Sequence, residues 1–219
     1  MKIQITSDGS HTLYVPELDE HYHSVNGAIQ ESRHVFIEAG LNQCSKDLIS
    51  VLELGFGTGL NALLTALEAE KQGKRIIYTT LEKYPLPESV TRQLNYASDR
   101  DMPLFTQLHH CEWGTLAAIT PYFSLFKIKT DFSDYHYSGL YDVVYYDAFA
   151  PDKQANVWTA EIFRRIFQGM AADGILTTYC AKGEIRRMML SAGFQVERIP
   201  GPPGKRQMLR GRKNLERIC

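Results

Sequence analysis

Short apolar runs alternate along this chain with longer segments of helical periodicity. This alternation predicts an α/β fold in which a mostly parallel sheet is covered on both faces by helices. Strands are expected at residues 50–54, 75–81, 104–109, 141–146, 174–179, 194–198 and 207–210. Helices are expected at residues 28–40, 60–71, 87–96, 157–170 and 184–192.

The segment before residue 50 has short strand patterns of its own, in KIQITS and HTLYVP. We expect residues 1–48 to form a cap and entry segment, and residues 49–219 to form the main domain. The irregular stretch at 123–139 interrupts the strand–helix rhythm and indicates a hairpin insertion. Its lysines, Lys127 and Lys129, are expected on the surface.

The composition fits one domain with a modest appendage, since 44% of the 219 residues are hydrophobic. No apolar run approaches the roughly 20 residues of a membrane span. The N-terminus lacks the apolar core of a signal peptide. The cysteines have no C-x-x-C spacing, so we expect reduced thiols in a cytoplasmic protein and no metal site. They are Cys44, Cys111, Cys180 and Cys219.

The net charge of −1 hides an asymmetry between the two ends of the chain. Residues 182–219 carry ten Lys/Arg and three acids, whereas the rest of the chain is acidic. A basic end on an acidic body is typical of a surface for a polyanion. A solvated C-terminal hairpin explains the same charges equally well.

A glycine-rich turn in VLELGFGTGL, residues 51–60, is the most informative local pattern. Glu53 leads into Gly55, Gly57 and Gly59, and a helix-forming segment follows. A strand, glycine turn and helix N-terminus present backbone N–H groups to a nucleoside ligand. The spacing differs from the Gly-x-Gly-x-x-Gly of dinucleotide binders and favours S-adenosylmethionine. Glu82 closes the next apolar run, where an acid holds ribose hydroxyls.

A second candidate site follows the apolar run at 143–146, in the sequence DAFAPDK. Asp147 would leave that strand at the carboxyl edge of the sheet, where ligands bind in open α/β folds. A carboxylate there can orient an amine and accept its proton for attack on a methyl group. A helix cap is the structural alternative for Asp147. Phe149 could stack on a base or pack within the protein. Lys153 could contact a ligand or be solvated.

A third cluster, DEHYHSVNGAIQESRHVF, precedes the core and contains Tyr22, Ser24 and Glu31. Taken alone, Asn26-Gly27 is a turn signal and Ser24 a candidate helix cap.

These separated motifs, together with GPPGKRQMLRG at 201–211, give the chain a specific resemblance to a known family. It resembles the methyltransferase domain of bifunctional tRNA 5-methylaminomethyl-2-thiouridine biosynthesis proteins over nearly its whole length. The resemblance implies a Rossmann-like, seven-stranded sheet that binds S-adenosyl-L-methionine (SAM). It also implies methylation of the 5-aminomethyl group of 5-aminomethyl-2-thiouridine at the wobble position of tRNA.

The resemblance also assigns roles to residues. Asp147 would lie beside the reacting amine. Tyr22 and Ser24 would join the cofactor pocket, and Glu112 and Trp113, after the predicted third strand, would replace the family's Gly-Asp at adenine. Phe149, Lys153, Lys205, Arg206 and Arg210 would contact the tRNA anticodon arm. The cofactor-binding residues implied in the glycine turn and the next strand are Glu53, Gly55, Gly57, Gly59, Asn61 and Glu82.

The family's better-known members carry a second, flavin-dependent domain that exposes the amine, and this chain ends where that domain would begin. We therefore expect a stand-alone methyltransferase that depends on an upstream amine-forming enzyme, with no membrane or metal partner. Two alternatives stay open: methylation of a small amine, which needs no basic tail, and a non-catalytic RNA-binding module, which would tolerate loss of Asp147.

Overall fold

The computed structural model describes residues 1–214, so Cys219 lies outside the described part of the chain. A three-stranded sheet comes first and an eight-stranded sheet follows. The strands are β1 (Lys2–Ile5), β2 (His11–Val15), β3 (Glu20–His21), β4 (Leu48–Leu54), β5 (Arg75–Glu82), β6 (Leu116–Thr120), β7 (Phe123–Lys129), β8 (Tyr141–Tyr146), β9 (Met170–Thr178), β10 (Gln195–Pro200) and β11 (Gln207–Arg212). The α-helices are α1 (Ala28–Ser32), α2 (Leu60–Gln72), α3 (Glu88–Thr91), α4 (Met102–His110), α5 (Ala160–Gly169) and α6 (Gly183–Ala192).

The large sheet has the order β10-β11-β9-β8-β4-β5-β7-β6. The five strands from β9 to β7 are parallel, and β11 and β6 run antiparallel to their inner neighbours. The predicted α/β class with a mostly parallel sheet is confirmed. The sheet has eight strands and not seven, because β6 adds a short antiparallel strand at the edge beside β7.

The strand register aligns the carboxyl ends of β4, β5 and β8. Leu54 of β4 pairs with Leu81 of β5 and with Tyr146 of β8. The residues that follow these strands, including Gly55 and Asp147, therefore emerge side by side at one edge of the sheet.

The prediction of a strand at residues 104–109 is wrong, because this segment is helix α4. Pro103 stands in its first turn, where the missing N–H costs nothing, and Phe105 and Leu108 are buried three residues apart on one face. The third parallel strand is instead β7, within the stretch expected to be a hairpin insertion. Its burial alternates as a strand requires.

Lys127 of β7 is buried, contrary to the expectation that it lies on the surface. Its ammonium donates hydrogen bonds to the carbonyls of Leu108 (3.0 Å) and His109 (2.7 Å) at the C-terminal end of α4. A cation there complements the negative end of the helix dipole. A polar residue in an inward position hides the strand pattern of FSLFKIK.

The predicted helix at 87–96 is reduced to the single turn of α3. The helix predicted at 28–40 forms as α1 continued by a π-helical segment, Arg33–Glu38. Helix α5 begins after Thr159, whose hydroxyl accepts a hydrogen bond from the Ile162 N–H. Asp147 is therefore not its cap.

The small sheet β1-β2-β3 lies against the carboxyl edge of the large sheet. Asn95 accepts a hydrogen bond from the His11 N–H (2.7 Å) and donates one to the Gly9 carbonyl (2.9 Å). Nε2 of the buried His23 lies 2.7 Å from the Thr58 hydroxyl in the glycine turn. These contacts hold the N-terminal strands over the glycine turn.

Among residues 1–214, no helix has the length and apolar character that crossing a membrane requires.

Candidate active site

A cavity of about 440 Å³ opens at the carboxyl edge of the large sheet, between that edge and the N-terminal strands. Its volume lies in the range of small-molecule and cofactor sites. Its walls come from distant parts of the chain: the entry segment, the glycine turn, the ends of β5, β7 and β8, and the loop before β11.

The glycine turn forms the floor of the cavity, and two of its glycines are required by their surroundings. Gly55 has a φ of +100°, and a Cβ there would lie 2.6 Å from the Asp147 carbonyl oxygen. Gly57 has a φ of +48°, and a Cβ would lie 3.0 Å from the Tyr22 ring. The first contact brings the strand end of Asp147 against the turn, and the second places an aromatic ring above it.

Glu82 lies at the end of β5 beside the turn, as the sequence predicts. Its carboxylate accepts hydrogen bonds from the Gly57 N–H (3.0 Å) and the Tyr84 N–H (2.8 Å), and it lines the cavity. An acid fixed at this position is suited to hold ribose hydroxyls.

Asp147 lies on the cavity wall at the end of β8. Its Oδ2 accepts a hydrogen bond of 2.8 Å from the Asn61 amide, and Asn61 stands in the first turn of α2. Burial raises the pKa of Asp147 to about 7. A carboxylate with this pKa can accept or release a proton near neutral pH.

Glu53 and Gly59, both predicted to contact the cofactor, are not among the residues that line the cavity. Glu53 has no exposed surface, and its Oε2 accepts a hydrogen bond of 2.6 Å from Thr80. Burial raises the pKa of Glu53 to about 8. On Gly59, a Cβ would lie 2.9 Å from the His109 ring.

The entry segment supplies the wall opposite Asp147. Tyr22 and Ser24 both line the cavity, and the Tyr22 ring packs edge-on against Phe149 with centroids 4.9 Å apart. The Ser24 N–H donates a hydrogen bond of 2.8 Å to Glu31. Glu31 is buried and lines the same cavity.

Lys205, predicted to contact tRNA, lines the cavity. Its ammonium lies 2.5 Å from Glu31 Oε1 and 4.1 Å from the centre of the Tyr179 ring. The charge of Glu31 raises the pKa of Asp147, and the charge of Lys205 lowers it. No sequence pattern links two residues 174 positions apart.

The other residues predicted to contact tRNA lie near the cavity mouth or on the outer hairpin. Arg206 is exposed in the loop between β10 and β11. Lys153 lies 3.5 Å from Asp19 of the N-terminal segment. Arg210 forms an ion pair with Glu197 across the hairpin (2.7 Å).

Glu112 and Trp113 follow helix α4 and not a strand, and neither is among the residues that line this cavity. Asp131 and Phe132, just after the true third strand, line it instead. Asp131 lies 2.8 Å from Lys83, and that pair, with the Ser133 N–H, lowers its pKa to about 2. The pattern of a strand followed by Thr-Asp could have revealed Asp131.

The described residues fit a nucleoside cofactor with an amino acid tail. The glycine turn is shaped for close backbone approach, and Glu82 and Asp131 stand at neighbouring strand ends. Tyr22 and Phe149 offer aromatic surface above the turn. Groups of His, Cys, Asp or Glu arranged to hold a metal were not found within residues 1–214.

Comparisons with known proteins agree with this geometry. Residues 126–214 match a family model described as S-adenosyl-L-methionine-dependent methyltransferase. The chain is 30% identical over 93% of its length to the tRNA 5-methylaminomethyl-2-thiouridine biosynthesis bifunctional protein MnmC of Cupriavidus metallidurans, and 30% identical over 96% to that of Azoarcus sp.. It spans about a third of the length of these curated relatives, 32% and 35%.

A solved structure also shows similarity to an MnmC protein. The crystal structure of MNMC2 from Aquifex aeolicus covers 98% of this chain, with a TM-score of 0.78 and 25% identity, and the chain covers 71% of it. Spermidine synthase from Thermotoga maritima has a TM-score of 0.57 at 12% identity and shares the fold alone. Together these findings show that residues 126–214 match the SAM-dependent methyltransferase family and that the chain resembles one part of the MnmC proteins.

Proposed function

We propose that this chain methylates the 5-aminomethyl group of 5-aminomethyl-2-thiouridine at the wobble position of tRNA. The observation that carries the proposal is the position of Asp147, which is packed against Gly55 and faces the same cavity as Glu82 and Tyr22. The names of its relatives supply the substrate.

In this proposal the cavity divides into two parts. Gly55, Gly57 and Glu82 hold the cofactor, with Asp131 at its adenine end and Tyr22 above the turn. The cofactor supplies an electrophilic methyl group on a sulfonium sulfur. Asp147 lies on the remaining side, where an acceptor nucleotide would enter.

Asp147 then acts on the amine. A primary aliphatic amine is mostly protonated at neutral pH, and an ammonium has no lone pair with which to attack. The Asp147 carboxylate accepts the ammonium proton and orients the free amine, a role worth a factor of about 10² to 10⁴ in rate. Its raised pKa matches this exchange.

The tRNA would approach the cavity mouth over the basic C-terminal hairpin. Arg206 is exposed there, and two further cations, Lys153 and Lys182, form ion pairs with Asp19 and Asp152. Phosphate contacts of this kind add affinity without reading sequence. A wobble nucleotide lies in a single-stranded loop and can be splayed into the cavity without opening a duplex. This substrate places the protein in the cytoplasm, downstream of an enzyme that forms the free amine.

Transfer of labelled methyl from SAM to tRNA tests the proposal. The acceptor is tRNA from cells that accumulate 5-aminomethyl-2-thiouridine, and the product nucleosides are separated and weighed by mass spectrometry. We expect the label in 5-methylaminomethyl-2-thiouridine. Polyamines in a parallel assay test the small-amine alternative, and label in them but not in tRNA would overturn the proposed substrate.

A further inference from the structure

A buried polar cluster beneath the glycine turn connects to Asp147 and has no role in the mechanism described so far. Glu53 Oε2 accepts a hydrogen bond from Thr80, whereas Glu53 Oε1 has no partner. Asn61 donates its amide N–H to Asp147, whereas its Oδ1 has no partner. The Tyr78 hydroxyl, beside Glu53, is also unpartnered.

The two unpartnered oxygens of Glu53 and Asn61 pose a physical problem. An ionised carboxylate and an amide oxygen can only accept hydrogen bonds. Leaving such an atom buried without a donor costs about 1–3 kcal/mol, and more for a charge. The Asn61 side chain adjoins the Glu53 carboxyl. A single proton on Glu53 Oε1 would supply the missing donor to Asn61 Oδ1.

We propose that Glu53 and Asp147 hold one proton between them through the Asn61 amide, and that this proton resides on Glu53. Glu53 is then a positioning residue and not a cofactor ligand. Its carboxylic acid donates to Asn61 Oδ1, which turns the Asn61 N–H₂ group toward Asp147. Asp147 is thereby kept ionised and ready for the amine. This inference rests on the proposed role of Asp147.

Burial of Glu53 and the charge of Asp147 favour the protonated form and outweigh Thr80, Asn61 and Tyr78, which lower the pKa of Glu53. Thr80 and Tyr78 face it from β5, Asn61 from α2, and Tyr145 and Asp147 from the end of β8. Of these groups Asp147 is the one that ionises near neutral pH, and its negative charge opposes a second one on Glu53. Burial together with that charge raises the pKa of Glu53 to about 8.

The alternative is an ionised Glu53 that accepts a hydrogen bond from the Tyr78 hydroxyl. That arrangement would satisfy Glu53 Oε1 but leave Asn61 Oδ1 without a donor. The two arrangements differ in whether Glu53 carries a proton at neutral pH.

Carbon-13 NMR of the protein labelled at glutamate side-chain carboxyls separates them. The protein is titrated alone, without tRNA or cofactor, so the result does not depend on the substrate. We expect one glutamate carboxyl to titrate above pH 7, and its signal to vanish in Glu53→Gln. Titration of every glutamate carboxyl below about pH 6, near the ordinary range, would overturn the proposal.

Two variants test the positioning role. Glu53→Gln keeps a donor for Asn61 Oδ1, so it should retain most methyl transfer. Glu53→Leu removes that donor and should lower kcat about tenfold, the equivalent of one hydrogen bond, with SAM affinity by calorimetry changed much less. Equal kcat in the two variants would overturn the positioning role. Should Glu53→Leu fail to fold, the NMR titration decides the question by itself.

Discussion

At the scale of single residues, Asp147 makes one contact through its side chain and another through its backbone, and substitution can test them separately. Asp147 is held by the Asn61 amide at 2.8 Å and by the close approach of its own carbonyl to Gly55. The backbone contact shapes the turn, and the side chain carries the chemistry. Changing the side chain alone should therefore spare the cofactor seat.

We expect Asp147→Asn to lower kcat by about 10² to 10⁴, because the amide cannot take a proton from the substrate amine. SAM affinity, measured by isothermal calorimetry, should change little, since the backbone around Gly55 is unaltered. Undiminished turnover would remove Asp147 from the mechanism.

The Gly57 position offers a test of the cofactor seat with a matched control. Gly57→Ala and Gly73→Ala both force a side chain into left-handed backbone, at a cost of about 1–2 kcal/mol. Only at Gly57 would the new Cβ also meet the Tyr22 ring, whereas Gly73 has open space around it. We expect both variants to lower the free energy of unfolding, measured by urea denaturation, but only Gly57→Ala to lose SAM affinity. Equal SAM affinity in both variants would show that Tyr22 and the turn do not form the seat.

At the scale of elements, the sequence predicts the central strands well and the third strand poorly. The apolar runs of β4, β5 and β8 are mostly buried, so they appear as nearly continuous hydrophobic patterns. In β7, the inward Lys127 breaks that pattern, while the apolar residues of α4 imitate a strand. Because this strand was misplaced, the adenine contact was predicted at Glu112 and Trp113, which follow a helix, and not at Asp131, which follows the strand.

The pairing of Glu31 with Lys205 lay beyond sequence reasoning for a different reason. Glu31 stands near the N-terminus and Lys205 in the last hairpin, and only the tertiary fold brings them to one cavity. Net charge along the chain predicted a basic surface but could not distinguish a lysine that faces inward from the exposed arginine next to it.

The hairpin β10–β11 supplies a prediction about tRNA binding. Arg206→Ala should weaken tRNA binding and reduce the slope of log affinity against log salt concentration by about one, as loss of one phosphate contact requires. Arg75→Ala is the control, because Arg75 is exposed at the start of β5, on the opposite edge of the sheet. Binding is measured by fluorescence anisotropy at several salt concentrations. Equal effects of the two variants would contradict a surface at the hairpin.

At the scale of the whole molecule, the buried acids make stability depend on pH. Glu53 has an ordinary pKa of 4.5 and a folded-state pKa of about 8, so between these values the folded protein keeps a proton that the unfolded chain has lost. Asp147 acts in the same direction between 3.8 and about 7. Stability is therefore highest on the acid side of this window.

We expect the free energy of unfolding of the cofactor-free protein to fall as pH rises through this window, with Glu53 contributing up to about 1.4 kcal/mol per pH unit. Glu53→Gln cannot titrate, so its curve should be shallower by that amount. Urea denaturation at several pH values measures both curves. Parallel curves for the two proteins would show that Glu53 has the same protonation in the folded and unfolded states.

The ion pairs around the cavity mouth have a consequence for measurements of binding. Lys153, Lys182 and Lys205 each already neutralise a carboxylate from a distant segment of the chain. A phosphate that reaches one of these lysines must displace an internal anion and so releases fewer bound ions from solution. The number of cations inferred from a salt titration will therefore be smaller than the number of lysines and arginines that the nucleic acid contacts.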